Sequence, residues 1–129
     1  MTDHPNAELV RSGYAAMAGG DADTFLAMLA DDIKWHFPGK SAVSGDFEGK
    51  SALLAHVAAM AAAAGSLDIQ LVHMLADDTF AVAIEHVVAT KGDKRYDRHD
   101  IAVFRMKDGR VAEGWAYVEN LDEWEALLS

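Results

Sequence analysis

Three residues of this sequence, His86, Asp100 and His36, have side chains that could transfer protons in a buried site. Residues 80–86 read Phe-x-Val-x-Ile-x-His, and alternate residues of a strand share one face. An imidazole among apolar neighbours can accept or donate a proton near neutral pH, because its reference pKa is about 6.5. His86 is therefore a candidate proton-transfer residue. The alternative is a histidine packed against the core and bonded to a neighbour.

Asp100 lies on a predicted strand that continues to Phe104, four residues later. If Phe104 faces the core, so does Asp100, and a buried carboxylate needs a partner such as His86 or Arg98. A His–Asp pair could act as a general base with an orienting carboxylate. The alternative is a surface ion pair with Arg98 or Lys94, an arrangement that is common and weak.

His36 stands between Trp35 and Phe37, directly before Pro38. Strand alternation turns its side chain away from those two aromatic residues, so the three cannot all line one cavity. We treat His36 as a second polar contact in a site. An outward-facing or dimer-facing histidine is the alternative.

The sequence offers no recognisable metal or cofactor motif. It has no cysteine, and its histidines, at positions 4, 36, 56, 73, 86 and 99, form no HxH, HxxxH or HExxH pattern. A site built from His36, His86 and Asp100 is conceivable but has little support. No glycine-rich nucleotide motif is present. We expect neither metal nor cofactor.

Helical patterns occupy the first half of the chain, and strand patterns the second. The helices are predicted over residues 7–17, 22–30 and 51–64, with a strand at 33–37 between the second and third. Four strands follow at 67–76, 79–90, 95–106 and 110–120, and a short helix ends the chain. Asp108-Gly109 between the last two strands is typical of a type I′ hairpin turn. This order predicts an α+β domain with helices on one face of a curved antiparallel sheet.

Composition narrows the partners. The chain has 129 residues, which predicts a single domain over 1–129. Its formal net charge of −10 disfavours nucleic-acid binding. No apolar run reaches the roughly 18 residues that span a bilayer, so no membrane partner is expected. The absence of cysteine fits a cytoplasmic protein.

The ordered segments GGDADTFLAMLADDIKWHFPG, VFRMKDGRVAEGW and WAYVENLDEWEALLS resemble the SnoaL-like group of the NTF2-like superfamily. The resemblance implies a cone in which three helices from the N-terminal half close over the sheet and enclose a pocket. It covers residues 6–129 and implies relatives that include ketosteroid isomerase, limonene-epoxide hydrolase and polyketide cyclases.

The catalytic sets of those relatives are largely unmatched. The isomerase base falls at Phe37, and its oxyanion pair falls near Gly13 and Ala102, with Tyr14 one residue away. The hydrolase triad falls at His86, Val88 and Ala116. The acid of the cyclases is absent from Gly114-Trp115-Ala116.

The resemblance implies that the strand face containing His86 points toward the pocket. The predicted pocket residues are Tyr14, Met17, Trp35, Phe37, Met60, Phe80, Val82, Ile84, Phe104, Gly114 and Ala116. Gly114 and Ala116 would leave the pocket roomy. Trp115 and Tyr117 would then lie on the opposite face, which predicts a homodimer through the sheets.

Three functions follow as hypotheses. The first is a cofactor-independent acid/base enzyme of the isomerase, cyclase or hydrolase type, acting on a small apolar molecule. His86 would transfer the proton, Asp100 would orient it, and His36 would be the second polar contact. The second is a non-catalytic binding module for an apolar ligand. The third is a dimeric scaffold whose cavity is filled.

Overall fold

A computed structural model describes residues 3–129 of the chain. The predicted single domain also includes Met1 and Thr2, which lie outside the described residues. No helix in residues 3–129 combines the length and apolar character needed to cross a membrane. The helices are α1 (Pro5–Ala18), α2 (Ala22–Ala27), α3 (Lys50–Ala63) and α4 (Leu121–Leu128), and the strands are β1 (Leu29–Phe37), β2 (Gly45–Glu48), β3 (Ser66–Ala76), β4 (Phe80–Lys91), β5 (Lys94–Lys107) and β6 (Arg110–Tyr117).

The six strands form one curved, unclosed sheet in the order β2-β1-β6-β5-β4-β3. The α+β cone is confirmed, but the prediction of a purely antiparallel sheet is wrong at one pair. Strands β1 and β6 run parallel, with Trp35 opposite Gly114 and His36 opposite Trp115. Parallel neighbours need a long crossover connection. Here the connection contains α3 and the whole β3–β5 meander, so the pairing depends on residues far apart in sequence.

The second helix is shorter than predicted. It ends at Ala27, and β1 begins at Leu29 rather than at Ile33. The cause is tertiary: Leu29 pairs with Val111 of β6, and the Val111 N–H donates a hydrogen bond of 2.9 Å to the Met28 carbonyl. The residues predicted to form the last turn of the helix thus pair with β6 instead.

The hairpin turn between β5 and β6 has the predicted geometry. Asp108 and Gly109 both have positive φ angles, of 53° and 74°. These angles suit the right-handed twist of paired strands. The turn places Lys107 opposite Arg110, and an irregularity between Arg105 and Met106 then shifts the register so that Phe104 lies opposite Gly114.

Strand β4 faces the opposite way from the prediction. Its buried side chains are those of Ala81, Ala83, Val87 and Ala89. Phe80, Val82, Ile84 and His86 therefore lie on the outer face of the sheet, and their predicted inward orientation is wrong. Helix α1 contacts β4 directly, and the small alanines allow that close approach, so the larger apolar residues occupy the outer face.

The helices close the inner face of the sheet from three directions. Helix α1 packs on β3 and β4, helix α3 packs on β1, β2 and β3, and helix α4 packs on β4 and β5. A space remains between these helices and the inner face.

Gly114 makes a close contact on this inner face, which gives a test of the packing. A Cβ atom at position 114 would lie 2.5 Å from Cζ3 of Trp35 and 3.3 Å from the Phe104 ring. We expect Gly114→Ala to lower the free energy of unfolding by about 1–3 kcal/mol, because overpacking displaces the partly buried Trp35 ring. Urea denaturation measures the loss.

Gly19→Ala is the matched control, because its Cβ would come no closer than 3.4 Å to another heavy atom. We expect a change within about 0.5 kcal/mol there. Equal stability of both variants would contradict the close Trp35–Gly114 contact.

Candidate functional site

A cavity of about 100 Å³ lies between the helices and the inner face of the sheet. Its wall is almost entirely apolar and includes aromatic and methionine side chains from α1, α2, α3 and β1. The lining residues that the sequence predicted are Tyr14, Met17, Trp35, Phe37, Met60, Phe104 and Ala116. Their role in ligand binding stays a prediction.

Gly114 also faces inward, but it does not enlarge the cavity. The Trp35 ring occupies the space beside it and stacks on Phe104, with ring centroids 5.9 Å apart. The expectation that Gly114 leaves the pocket roomy is therefore wrong, because an aromatic side chain from β1 fills that space.

His86 does not reach the cavity. Its Nε2 atom lies 2.6 Å from Asp97 Oδ1 on the outer face, and its ring stacks on His99 at a centroid distance of 5.1 Å. The proposed pairing of His86 with Asp100 is therefore wrong. The two side chains point to opposite faces because their strands pair with His86 opposite His99 and Glu85 opposite Asp100.

His36 lies on the outer face as well, opposite in direction to Trp35 and Phe37. Its Nδ1 is 2.7 Å from Asp46, its Nε2 is 2.6 Å from Glu113, and its ring stacks on Trp115. The hydrogen bonds to Asp46 and Glu113 raise the pKa of His36. These contacts use both ring nitrogens, so His36 is not a polar contact for a ligand in the cavity.

Asp100 is buried, with 8% of its surface exposed, and it lines the cavity. Its Oδ1 accepts hydrogen bonds from the Tyr96 hydroxyl at 2.7 Å and from the Glu119 backbone N–H at 3.1 Å. Burial raises the pKa of Asp100, and these two hydrogen bonds oppose that effect. The expected partners are wrong: Arg98 pairs instead with Glu123.

Glu85 and Tyr14 form the polar pair that the structure brings into the cavity wall. The Tyr14 hydroxyl of α1 donates a hydrogen bond to Glu85 Oε2 of β4, and both residues line the cavity. Glu85 is not among the residues predicted from the sequence, because the face that contains the neighbouring His86 was expected to point inward. The sequence does contain one signal for it. Glu85 is the single carboxylate in the apolar run 80–89, and it lies on the same strand face as Ala81 and Ala83.

Burial sets the protonation of this pair. The pKa of Glu85 is raised to about 7: desolvation is the largest cause, the Tyr14 hydrogen bond opposes it, and the nearby Asp100 charge adds to it. Burial also raises the pKa of Tyr14 well above its ordinary value. Tyr14 is thus a hydrogen-bond donor at neutral pH, whereas Glu85 is divided between its acid and carboxylate forms.

The described residues contain no group of three or more His, Cys, Asp or Glu side chains placed to hold a metal ion.

Comparison with known proteins identifies the family of the chain. The SnoaL-like domain family matches residues 10–114. The chain belongs to the SnoaL-like domain family. Its fold is shared by an NTF2-like protein from Burkholderia pseudomallei, which is 18% identical with a TM-score of 0.87 and 98% coverage of both chains.

Similarity to individual proteins extends the comparison. An uncharacterized protein of Mycobacterium tuberculosis, Rv0034, is 31% identical over 113 residues, which are 86% of each chain. The structure of Bal32a, from a soil-derived mobile gene cassette, is 34% identical with a TM-score of 0.89 and 97% coverage of both chains. A putative polyketide cyclase from Xanthomonas campestris is 27% identical with a TM-score of 0.69 and 97% coverage of both chains.

The half-buried Glu85 of this SnoaL-like chain has a raised pKa, which predicts that stability depends on pH. Its pKa is higher in the folded chain than the ordinary value of 4.5, so the folded state is favoured when Glu85 is protonated. That stability is fully present below about pH 4.5 and is lost as pH rises through about 7. We expect Glu85→Gln to remove this loss, which amounts to up to about 3 kcal/mol at 1.36 kcal/mol per pKa unit.

Urea denaturation from pH 4 to pH 9 measures the difference between the two proteins. Glu48→Gln, at an exposed position of β2, is the matched control and should follow the wild-type curve. Parallel curves for wild type and Glu85→Gln would show that Glu85 is not protonated by burial.

Proposed function

We propose that this SnoaL-like protein binds a small, neutral, largely apolar molecule in its cavity and performs cofactor-independent acid/base chemistry on it. The observation that carries the proposal is the half-buried Tyr14–Glu85 pair in a largely apolar wall. The family match and the likeness to a putative polyketide cyclase support a ligand-binding or cyclase-type role. The isomerase, cyclase and hydrolase types remain alternatives within this proposal.

Glu85 replaces His86 as the proposed proton-transfer residue. A general acid or base works best when its pKa lies near the working pH. The Glu85 carboxylate would take a proton from the ligand and return it to a neighbouring atom, with no net consumption of acid. The Tyr14 hydroxyl would hold one carboxylate oxygen in place, and the Asp100 charge would keep the Glu85 pKa high.

The cavity limits the size of the ligand. Its volume is about 100 Å³, and an apolar cavity of about 150 Å³ holds benzene. A single-ring molecule therefore requires some movement of the wall. The unbranched side chains of Met17, Met28 and Met60 line the cavity and can adapt, because methionine has three rotatable bonds.

A non-catalytic binding module is the second candidate, favoured by the almost wholly apolar wall. It shares the ligand with the first proposal but not the role of Glu85. A scaffold with a filled cavity is the third. The two functional proposals therefore differ in whether proton transfer depends on Glu85.

Exchange of the α-protons of cyclohexanone in D₂O tests the first proposal, since it needs only a base beside a bound ketone. We expect the protein to accelerate the exchange, followed by NMR, with a midpoint near pH 7 on the ascending limb. Glu85→Gln should lower the rate at least tenfold, in line with the roughly 10²–10⁴-fold contribution of general bases. The hydrogen bond from Tyr14 lowers the Glu85 pKa. Tyr14→Phe removes that bond and should therefore move the midpoint to higher pH.

Each other result selects an alternative. Saturable binding of cyclohexanone without exchange would support the binding module. Neither binding nor exchange would leave the scaffold. Exchange that is unchanged in Glu85→Gln would overturn the assigned base.

We also propose that two copies of the chain associate through the outer face of the sheet. Ladder pairing aligns Leu75, Val82, Val103 and Trp115 in one row across four strands. Ile101 and Tyr117 continue the apolar surface and are 40% and 55% exposed. A contiguous exposed apolar surface of this kind is typical of an interface.

Sedimentation at micromolar concentration tests the association. We expect twice the chain mass of 13.9 kDa for the wild type and the single-chain mass for Ile101→Glu, because a charge would be buried without a partner. Leu54→Glu, at an exposed apolar position of α3, should leave the dimer intact. A monomeric wild type would contradict the proposal.

A cytoplasmic location, with neither nucleic acid nor membrane as a partner, completes the proposal. The formal charge of −10 supports the exclusion of nucleic acid, since it repels the phosphate backbone.

A further inference from the structure

Three buried polar atoms in the described part of the chain lack a hydrogen-bond partner, and all three belong to residues that line the cavity. They are Nε1 of Trp35, Nδ1 of His56 and Nε1 of Trp124. Buried polar side-chain atoms are nearly always paired in folded proteins, so each unpaired one requires an explanation. Their clustering around one cavity indicates that the missing partner is a molecule that enters it.

His56 is the most informative of the three. It is 4% exposed on α3, which presents Leu53, His56 and Met60 to the cavity at spacings of three and four residues. The rings of Phe37 and Phe47 lie against it, at centroid distances of 5.2 and 4.4 Å. An imidazole held in this way cannot turn to solvent for a partner.

The state of the imidazole follows from its surroundings. Burial lowers the pKa of His56, so the ring is neutral near pH 7. A neutral imidazole has one donor and one acceptor nitrogen. A backbone hydrogen bond to Val43 opposes the effect of burial on the His56 pKa, so the imidazole donates to the Val43 carbonyl. Since Nδ1 is the nitrogen without a partner, it is left as an acceptor for a ligand hydroxyl.

The charges of the wall select the ligand further. None of the described residues that line the cavity is a lysine or an arginine, whereas two, Glu85 and Asp100, carry carboxyl groups. An anion would be buried there without a countercharge, which is strongly unfavourable. The wall therefore disfavours carboxylate and phosphate ligands.

We propose that His56 is a specificity-determining contact whose Nδ1 hydrogen bonds an oxygen of the ligand. The preferred ligand is then a neutral ring with two oxygen substituents, one at the Tyr14–Glu85 pair and one at His56. This inference rests on the proposed function, because it assumes that the cavity holds a ligand. It adds a second polar point on α3, separate from the pair that joins α1 and β4.

A panel of phenol and the three benzenediols, measured by isothermal titration calorimetry, tests the inference. We expect the best benzenediol to bind at least tenfold more tightly than phenol. His56→Phe keeps a flat ring between Phe37 and Phe47 but removes both nitrogens. The ratio of the affinity for the best benzenediol to the affinity for phenol should therefore fall to near one. His73→Phe, at an exposed position of β3, should retain the preference.

Nitrogen-15 NMR of the wild-type imidazole gives a second measurement that needs no variant. We expect the Nδ1 resonance of His56 to shift on addition of the best benzenediol and to stay in place on addition of phenol. Equal affinity for phenol and every diol, or a preference that survives His56→Phe, would overturn the role of His56. In that case Glu85-dependent exchange of cyclohexanone would still stand, whereas failure of every probe to bind would overturn the proposed function as well.

Discussion

The contact between Tyr14 and Glu85 is the constraint on which the rest of the site depends. It joins the first helix to the middle of the sheet, across 71 positions of sequence, and places a carboxyl group in an apolar wall. A carboxylate in such surroundings is costly, so the group either keeps its proton or relies on its hydrogen bond. Its pKa near 7 follows from that competition.

The sheet separates two kinds of surface. On its inner face, small residues such as Ala81 and Ala83 let α1 approach, and the cavity remains where the helices do not meet the strands. On its outer face lie larger apolar residues, together with His36 and His86, whose rings are bonded to neighbouring carboxylates. The proposed acid/base chemistry inside and the proposed association outside can therefore be altered separately, because the two sets of side chains alternate along the same strands.

The sequence by itself determined most elements and one important part of the site. Apolar periodicity located the third helix, and Asp108-Gly109 located the hairpin, because local sterics decide both. Alternation along β5 correctly linked Asp100 to Phe104, since that strand has a clear contrast between its two faces. The family resemblance extended these local patterns to the cone, which the fold confirms.

Tertiary structure alone decided which face of β4 points inward, and with it the choice of Glu85 over His86. Both alternations of β4 are apolar, so periodicity gave no preference, and only the packing of α1 on its alanines selected one. The parallel pairing of β1 with β6 likewise depends on distant segments. Local pattern fixes the period of a strand, whereas the orientation of its faces is set by what packs against it, and a shift of one residue reverses every side chain.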